Sequence, residues 1–339
     1  MYMRRCFDLA RRGAGTVSPN PLVGSVVVNE GHVIGEGYHK QYGGAHAERG
    51  AIHAVVEADR PFLPKSRLYV SLEPCCHHGK TPPCTDLILA SGIREVYISM
   101  HDPNPMVGGK GMQLLRNHGV AVYDNILAAE GKELIRFFLT SMTKQRPHII
   151  LKIVQSRDGY IGKPDKQVWL SNDYERVMVH KLRSEVDAIM VGTNTAVIDN
   201  PELTTRFYPG RSPVRVLVDK TGRIPRTHHI FDGSAPTWIF TGQAKDSGFS
   251  NNIETVQCTF DDTVLDRILA ELYTRRIQSL LVEGGARMIT SFLEKQLWDE
   301  ALVVRTPKIL GSGVKAPLIE GSLKWRYEMA GDEVLAIVP

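Results

Sequence analysis

The chain has 339 residues, a length that suits two domains better than one core. Its contents of 42% hydrophobic and 23% charged residues are ordinary for a globular protein. The 41 basic and 37 acidic side chains leave a net charge of +4, which suits a phosphorylated metabolite and is a weak indicator of nucleic-acid binding. We expect no membrane span and no signal peptide, since apolar runs are short and Asp8 and Arg11 interrupt the first of them.

The predicted elements of the first part alternate between helices and strands. A polar stretch ending at Pro147 predicts a boundary between domains at residues 1–145 and 146–339. The predicted helices cover residues 3–12, 45–58, 83–91, 113–117 and 126–142, and the predicted strands cover 22–28, 33–38, 67–72, 95–100 and 120–123.

The second part shows the same alternation, so we predict an α/β fold for both domains. Asn172, with Glu175 three residues later, predicts a capping box at a helix start. The predicted helices cover residues 172–183, 263–275 and 286–296, and the predicted strands cover 148–154, 188–191, 214–218, 237–240, 279–282 and 301–304.

Three of the five cysteines lie close together, in the segment that runs from Ser71 to Cys84. Such crowding indicates metal binding rather than a disulfide framework, and we expect a reducing cytoplasm as the location. A His46-Ala-Glu48 triplet lies upstream of this segment. An imidazole and two thiols can hold a catalytic zinc with one position open for water, and a nearby carboxylate can carry the proton.

Zinc deaminases carry His-x-Glu followed by Pro-Cys-x-x-Cys, and this chain matches the first half and the Pro-Cys pair. Cys75 and Cys84 are, however, separated by eight residues instead of two. A structural zinc site is the alternative, with a fourth ligand from Cys76, His77 or His78. We favour the catalytic interpretation, because a structural site gives Glu48 no role.

The motifs resemble those of the bacterial riboflavin-biosynthesis deaminase/reductase family. In the first half they are Ser18-Pro-Asn-Pro-Leu-Val-Gly24, His46-Ala-Glu48 and the Glu-Pro-Cys-x-His-x-Gly-x-Thr-Pro-Pro-Cys pattern of residues 73–84. The second half carries, in the family's order, Asp158-Gly159, Trp169, Asp199-Asn-Pro-Glu-Leu-Thr204 and Val282-Glu-Gly-Gly-Ala286. The resemblance covers essentially the whole chain. It implies a cytidine-deaminase-like α/β/α domain followed by a dihydrofolate-reductase-like α/β domain.

For the first domain, the resemblance implies zinc-dependent hydrolytic deamination of 2,5-diamino-6-(5-phosphoribosylamino)pyrimidin-4(3H)-one, with one Zn²⁺ per chain. The implied metal ligands are His46, Cys75 and Cys84, and Glu48 is the implied proton carrier. The implied substrate contacts are Asn20, His39, His77 and Lys80.

For the second domain, the resemblance implies NADPH-dependent reduction of the product's ribosyl side chain to ribityl. Arg183 and Arg206 are expected to bind the substrate phosphate, and Asp199 is the acid expected to deliver a proton. The implied NADPH contacts are Val154, Trp169, Thr195, Asp199, Lys220, Gly285, Ala286, Arg287, Met288, Ile289, Thr290 and Ser291. The implied substrate contacts are Gln167, Arg183, Leu203, Arg206 and Glu283.

Without the resemblance, the second domain is less informative. The Gly284-Gly285 pair between a predicted strand and helix is not a G-x-G-x-x-G motif, and such a pair is more often a tight turn than a cofactor loop. Two positions depart from the family pattern. Ser156-Arg-Asp-Gly-Tyr160 stands where Ser-Leu-Asp-Gly is usual, and Lys220 stands where a small polar residue is common.

Two other functions compete with a bifunctional enzyme. A nucleic-acid base deaminase would need a basic groove with interleaved aromatic residues, for which the first half offers few candidates. A non-enzymatic zinc-stabilised binding module would unfold on chelation and turn nothing over. We expect a small phosphorylated pyrimidine as substrate, no nucleic-acid or membrane partner, and a homodimer or homotetramer.

Overall fold

The structure is a computed structural model that describes residues 1–78, 82–105, 107–244 and 248–339. The chain folds into two compact units, Met1–Gln145 and Arg146–Pro339. Each unit is built on a sheet with helices packed against it, which confirms the predicted α/β class. In the described ranges, no helix is both long enough and apolar enough to cross a membrane.

The first unit contains six helices and five strands among its described residues, with a 3₁₀ segment at Glu57–Lys65. Its helices are α1 (Tyr2–Arg11), α2 (Ala47–His53), α3 (Cys84–Ala90), α4 (Lys110–Asn117), α5 (Ala128–Leu134) and α6 (Arg136–Lys144). Its strands are β1 (Gly24–Asn29), β2 (His32–Tyr38), β3 (Arg67–Val70), β4 (Glu95–Ile98) and β5 (Ala121–Tyr123).

The sheet of the first unit has the order β2-β1-β3-β4-β5. Strand β1 pairs antiparallel with β2 and β3, whereas β3, β4 and β5 run parallel. Both faces of β1 are buried: Val27 packs in the cluster that contains Ile52 and Ile88, whereas Val26 packs in the cluster that contains Phe7. Because side chains alternate along a strand, a continuous apolar run is needed to fill both layers.

Helix α2 lies unusually close to β2, and glycine allows this approach. A Cβ atom on Gly37 would lie 2.2 Å from the backbone nitrogen of Ala51 and 2.5 Å from the carbonyl oxygen of Ala47. Any larger residue would therefore push α2 away from the sheet. Since His46 caps α2 and Glu48 lies in its first turn, this contact fixes the height of both side chains above the sheet.

The second unit has more strands, and several helices begin directly after a strand. Its helices are α7 (Asp173–Glu185), α8 (Thr193–Asp199), α9 (Val264–Thr274) and α10 (Ala286–Glu294). Its strands are β6 (His148–Gln155), β7 (Tyr160–Gly162), β8 (Ala188–Gly192), β9 (Val214–Val218), β10 (Thr237–Thr241), β11 (Ile253–Gln257), β12 (Ser279–Val282), β13 (Glu300–Arg305), β14 (Val314–Lys315), β15 (Ser322–Met329) and β16 (Asp332–Val338).

The main sheet of the second unit has the order β11-β10-β9-β8-β12-β6-β13-β16-β15. The strands from β11 to β13 are parallel, and β16 and β15 close one edge in antiparallel pairing. Carboxyl ends of parallel strands meet at one edge, which is where ligands bind in open α/β sheets. Helices α8 and α10 begin at this edge, after β8 and β12.

Two predicted helices of the first unit are wrong in extent. The helix predicted at 45–58 ends at His53, and the chain continues through Val55 and Val56 into a 3₁₀ segment that contains Pro61, which can donate no backbone hydrogen bond. The helix predicted at 126–142 is two helices, α5 and α6, which are separated at Ile135. Ile135, at the break, belongs to the same buried cluster as Leu134 and Phe138.

Several elements of the second unit were not predicted: α8, β7, β11 and β14–β16. Strand β15 is largely exposed, and its mixed polar sequence carries no buried pattern. The capping box is half right. The Asn172 side chain accepts a hydrogen bond from the backbone nitrogen of Glu175 at 3.0 Å, but the Asn172 backbone nitrogen donates to Asp332 instead of to Glu175.

Candidate active sites

His46, Cys75 and Cys84 come together in the first unit although they lie in three separate segments. His46 caps α2, Cys75 lies in the loop after β3, and Cys84 is the first residue of α3. The Nδ1 atom of His46 is 3.4 Å from the sulfur of Cys75 and 3.4 Å from the sulfur of Cys84. All three candidate ligand atoms lie within 4.8 Å of one another.

These distances fit a tetrahedral zinc site. With Zn–N near 2.0–2.1 Å and Zn–S near 2.3 Å, tetrahedral angles place a nitrogen and a sulfur ligand about 3.5 Å apart. The observed 3.4 Å separations are close to that value. Among the described residues, His46, Cys75 and Cys84 form a group of potential ligands that could hold a metal ion. Three ligands leave a fourth tetrahedral position open, as a catalytic site requires.

Glu48 lies beside the cluster and is buried, with 3% of its surface exposed. Burial raises the pKa of its carboxyl group to about 7, and the nearby charge of Cys75 adds to this effect. The hydrogen bond between the two thiols lowers the pKa of Cys75, and it raises the pKa of Cys84. The hydrogen bond with Cys75 raises the pKa of His46.

The remaining candidates for a fourth ligand do not join the cluster. Cys76 is half-buried, and it does not belong to the group whose ligand atoms lie within 4.8 Å of one another. His77 and His78 are exposed to solvent. Lys80, a predicted substrate contact, lies outside the described residues. The described part of the loop therefore favours an open site over a closed structural one.

Asn20 and His39 form a hydrogen-bonded pair next to His46. The Nδ2 atom of Asn20 is 3.0 Å from Nε2 of His39, and Nδ1 of His39 is 3.0 Å from the carbonyl oxygen of Ala45. Burial lowers the pKa of His39, which favours the neutral ring. A neutral ring with a proton on Nδ1 can donate to Ala45 and accept from Asn20. His39 thereby supports the residue that precedes His46.

Sequence reasoning missed two acids near the metal cluster, the buried Glu73 and the half-buried Asp102. The carboxylate of Glu73 accepts hydrogen bonds from four backbone N–H groups, one of which belongs to Asp102. Burial raises the pKa of Asp102 to about 6, and Glu73 contributes to this rise. Their positions in the sequence could have indicated both acids, because Glu73 lies two residues before Cys75 and Asp102 follows β4.

A cavity of about 950 Å³ in the second unit is lined by most of the side chains predicted to bind cofactor or substrate. It lies beside the carboxyl ends of the parallel strands, and helices α8 and α10 contribute residues to its wall. The predicted residues that line it are Val154, Gln167, Trp169, Arg183, Thr195, Asp199, Leu203, Arg206, Glu283, Gly285, Ala286, Arg287 and Ile289.

The other predicted cofactor residues do not line this cavity. Met288, Thr290 and Ser291 follow in α10 without contributing to its wall. Lys220 lines a second cavity of about 550 Å³, together with Gly242 and Cys258. These residues follow β9, β10 and β11. Both cavities therefore lie at the edge of the sheet where the carboxyl ends of the parallel strands meet.

Arg183 and Glu283 form a buried ion pair in the wall of the larger cavity. Nε of Arg183 is 2.9 Å from one carboxylate oxygen, and Nη2 is 2.8 Å from the other. Burial alone would raise the pKa of Glu283, but Arg183 outweighs it and holds the pKa at about 2. The side chains are 11% and 8% exposed, so losing either partner would leave a buried charge unpaired.

Lys152 and His180 also line the cavity, and sequence reasoning missed both. Burial lowers the pKa of Lys152, and the charge of Glu283 opposes that shift. Burial, with Arg183 and Arg206 nearby, lowers the pKa of His180 to about 4, and its Nδ1 accepts from the backbone nitrogen of Arg206 at 2.8 Å. A lysine within the apolar strand β6 was the available signal for Lys152.

The Gly284-Gly285 pair makes a tight turn that only glycine allows. A Cβ on Gly284 would lie 2.8 Å from Cα of Val191, and Gly285 has a φ of 49° and lies close to Thr195.

Leu203 also has a positive φ, at 55°, although it is a buried leucine. Strain of this kind in a leucine is uncommon, and it persists where surrounding structure enforces it.

The departure at Arg157 does not alter the turn around it. The backbone nitrogen of Ser156 donates to Tyr160 and the backbone nitrogen of Tyr160 donates to Oγ of Ser156, whereas the side chain of Arg157 is exposed. Asp158 accepts from the backbone nitrogens of Leu310 and Gly311 at 3.0 and 2.7 Å, so the turn holds the loop that contains them.

Comparison with known proteins agrees with this two-site arrangement. Residues 1–100 match the model for the cytidine and deoxycytidylate deaminase zinc-binding region, and residues 147–332 match the model for the RibD C-terminal domain. Riboflavin biosynthesis protein RibD from Aquifex aeolicus is 38% identical over 96% of this chain and 93% of its own. RibD from Bacillus amyloliquefaciens is also 38% identical, over 94% of this chain and 87% of its own.

A solved structure shows the same architecture across the full length. The Thermotoga maritima diaminohydroxyphosphoribosylaminopyrimidine deaminase/5-amino-6-(5-phosphoribosylamino)uracil reductase superposes with a TM-score of 0.90. It is 36% identical and covers 100% of this chain and 97% of its own.

The fold and sites thus define a bifunctional enzyme, in which a zinc-binding deaminase domain precedes an NADPH-using reductase domain. The chain belongs to the RibD family of riboflavin-biosynthesis proteins.

Replacing the loop cysteines one at a time should separate metal ligands from bystanders. We expect Cys75→Ser or Cys84→Ser to lower the zinc retained per chain by at least about tenfold, because either change removes one of three ligands. Cys76→Ser is the matched control and should retain zinc as the wild type does. Elemental analysis after dialysis measures this. Loss of zinc from the Cys76→Ser protein would show instead that Cys76 is a fourth ligand that closes the site.

Proposed function

We propose that the chain catalyses two consecutive reactions. The first is the hydrolytic deamination of 2,5-diamino-6-(5-phosphoribosylamino)pyrimidin-4(3H)-one, and the second is the NADPH-dependent reduction of the product's ribosyl side chain to ribityl. The observation that carries the proposal is the meeting of His46, Cys75 and Cys84 beside a buried Glu48. The assigned domains are residues 1–145 for deamination and 146–339 for reduction.

In the first domain, His46, Cys75 and Cys84 would hold the zinc ion, which supplies Lewis acidity that activates water when it is bound. Glu48 takes the proton from the attacking water and passes it to the departing amino nitrogen. Its burial beside the three proposed ligands places one carboxyl group where it can carry that proton. Asn20, His39, His77 and Lys80 remain the proposed substrate contacts.

The Asn20–His39 pair constrains how these two residues can act. Both ring nitrogens of His39 have partners within the protein, at 3.0 Å each. His39 would therefore contact substrate mainly through its ring surface, and its polar atoms would orient neighbouring groups. Its edge-to-face contact with the His46 ring, with ring centroids 5.5 Å apart, supports this positioning role.

In the second domain, the larger cavity would hold the nicotinamide end of NADPH beside the substrate, and NADPH supplies the hydride. The glycine turn at Gly284-Gly285 in the cavity wall lets the protein backbone approach a phosphate closely. Asp199 lines the cavity, and burial raises the pKa of its carboxyl group, which favours the protonated form that can donate. Asp199 is accordingly the proposed proton donor in the reduction.

The two arginines proposed to bind the substrate phosphate differ in how many of their N–H groups are already bonded within the protein. Arg206 is exposed at the cavity wall and also pairs with Glu202. Arg183 is held by Glu283 and donates through Nη1 to the carbonyl oxygen of Thr204 at 3.1 Å. Arg206 is therefore the better candidate for direct phosphate binding. Arg183 and Glu283 would act on the sugar portion of the substrate as a fixed pair.

Lys220 is proposed to bind the far end of NADPH. It is exposed in the second cavity, which lies at the same edge of the sheet as the glycine turn. A lysine ammonium is a suitable point charge for a phosphate. Lys220 would thus favour the 2′-phosphate that distinguishes NADPH from NADH.

The proposed substrate is a small phosphorylated pyrimidine, and the proposed location is the cytoplasm. We further propose a homodimer or homotetramer. The edge strand β15 supports assembly, because an edge strand can pair with another chain and because Leu323 and Trp325 are 56% and 38% exposed there.

Glu48→Gln should abolish the first reaction and spare the second. The amide cannot shuttle a proton, so we expect deamination to fall by roughly 10²–10⁴-fold while zinc content is unchanged. Reduction of pre-deaminated substrate, followed by NADPH absorbance, should match the wild type. Glu57→Gln, at an exposed acid of the same unit, is the control. Wild-type deamination by the Glu48 variant would remove this residue from the mechanism.

Lys220→Gln should weaken discrimination between the two nicotinamide cofactors. We expect KM for NADPH to rise roughly tenfold, equivalent to the loss of one charged contact, while KM for NADH stays the same. Steady-state reduction with each cofactor measures this, and Lys295→Gln, outside both cavities, is the control. An equal rise in KM for both cofactors would contradict a contact with the 2′-phosphate.

A further inference from the structure

Glu73 is a buried acid at the start of the segment that carries Cys75. Only 4% of its surface is exposed, and its carboxylate faces backbone N–H groups from two other segments. Oε2 accepts from the backbone nitrogens of Asp102 at 3.3 Å and Gly109 at 2.9 Å. Oε1 accepts from those of Gly111 at 3.0 Å and Met112 at 3.2 Å, in the first turn of α4.

The backbone on either side of this carboxylate is also held in place. The backbone nitrogen of Glu73 donates to the carbonyl oxygen of Met100 at 3.0 Å. The carbonyl oxygen of Pro74 lies against Gly111, where a Cβ would come within 2.1 Å of it. Glu73 and Pro74 are thus fixed between the end of β4 and the start of α4.

Cys75 follows this fixed pair directly, in a segment with no strand pairing of its own. Beyond Pro74, Cys75 is held by the bond from the Thr85 nitrogen to its carbonyl oxygen, at 3.2 Å, and by contacts of its sulfur with the Cys84 nitrogen and His46 Nδ1, each at 3.4 Å. The sulfur contacts lie within the ligand cluster itself, so the main-chain support on the other side of Cys75 comes from Glu73 and Pro74.

We propose that Glu73 is a positioning residue for deamination, which holds Cys75 in ligand geometry and joins the segment of Cys75 to Asp102, Gly109 and the start of α4. This inference rests on the proposed function, in which Cys75 is a zinc ligand. A carboxylate is required, because four N–H donors need two acceptor oxygens. In a glutamine, one oxygen would be replaced by an NH₂ group that faces two donors.

Glu73→Gln tests the proposal, with Glu95→Gln as a matched surface control in the same unit, where the acid pairs with Arg67. We expect the Glu73 variant to bind zinc about 10–100-fold more weakly in chelator competition, as loss of an orienting partner of a metal ligand does. With Co²⁺ in place of zinc, its thiolate-to-metal absorption should shift in energy or intensity. We expect deamination kcat to fall about 10–100-fold and reduction to stay at the wild-type rate.

Gly111→Ala provides a second route to the same contact without changing any charge. Its added methyl group would displace the Pro74 carbonyl, so it should reproduce the loss of zinc affinity and deamination. Wild-type zinc affinity, Co²⁺ spectrum and kcat in the Glu73 variant would overturn the proposal. Equal loss of both enzyme activities would also overturn it, since Glu73 would then serve folding in general. A wild-type protein without zinc or deamination would instead refute the proposed function itself.

Discussion

The close approach of one imidazole nitrogen to two sulfurs is the constraint on which the first unit depends. His46 must lie 3.4 Å from both Cys75 and Cys84, although these residues cap a helix, occupy a loop and begin another helix. Gly37 contributes to this geometry because its lack of a side chain lets α2, which follows His46, pack closely against β2. Bonds to Asn20 and Ala45 fix the neighbouring His39 as well. Backbone packing of these segments thus brings the three candidate ligand atoms together.

In the second unit, charged side chains lie inside a cavity and stabilise one another by pairing. Arg183 and Glu283 satisfy each other through two hydrogen bonds, and burial near them lowers the pKa of Lys152 and His180. Each group would be costly alone in such surroundings, so the set is stable as a network. The same network gives the cavity a fixed arrangement of donors and acceptors around a polar substrate.

Much of the fold and of the metal site could be predicted because the information was local. Short motifs contain the residues of the metal site, namely His46, Glu48, Cys75 and Cys84, and the residue types of these motifs indicate the chemistry. Buried strands appear in the sequence as runs of apolar residues. The remaining features depend on contacts between distant segments. Arg183 and Glu283 pair across 100 positions of sequence, and the four donors to Glu73 come from a loop and a helix that only folding brings near. The exposed β15 carries no buried pattern to detect.

Removal and return of the metal test the central claim most directly, namely that the two units carry independent chemistry. A chelator-treated sample that remains folded by circular dichroism would be assayed for both half-reactions before and after zinc is restored. The account predicts that deamination disappears and returns with zinc, while reduction of pre-deaminated substrate by NADPH continues unchanged. Deamination that persists without metal, or reduction that is lost in the folded metal-free protein, would contradict it.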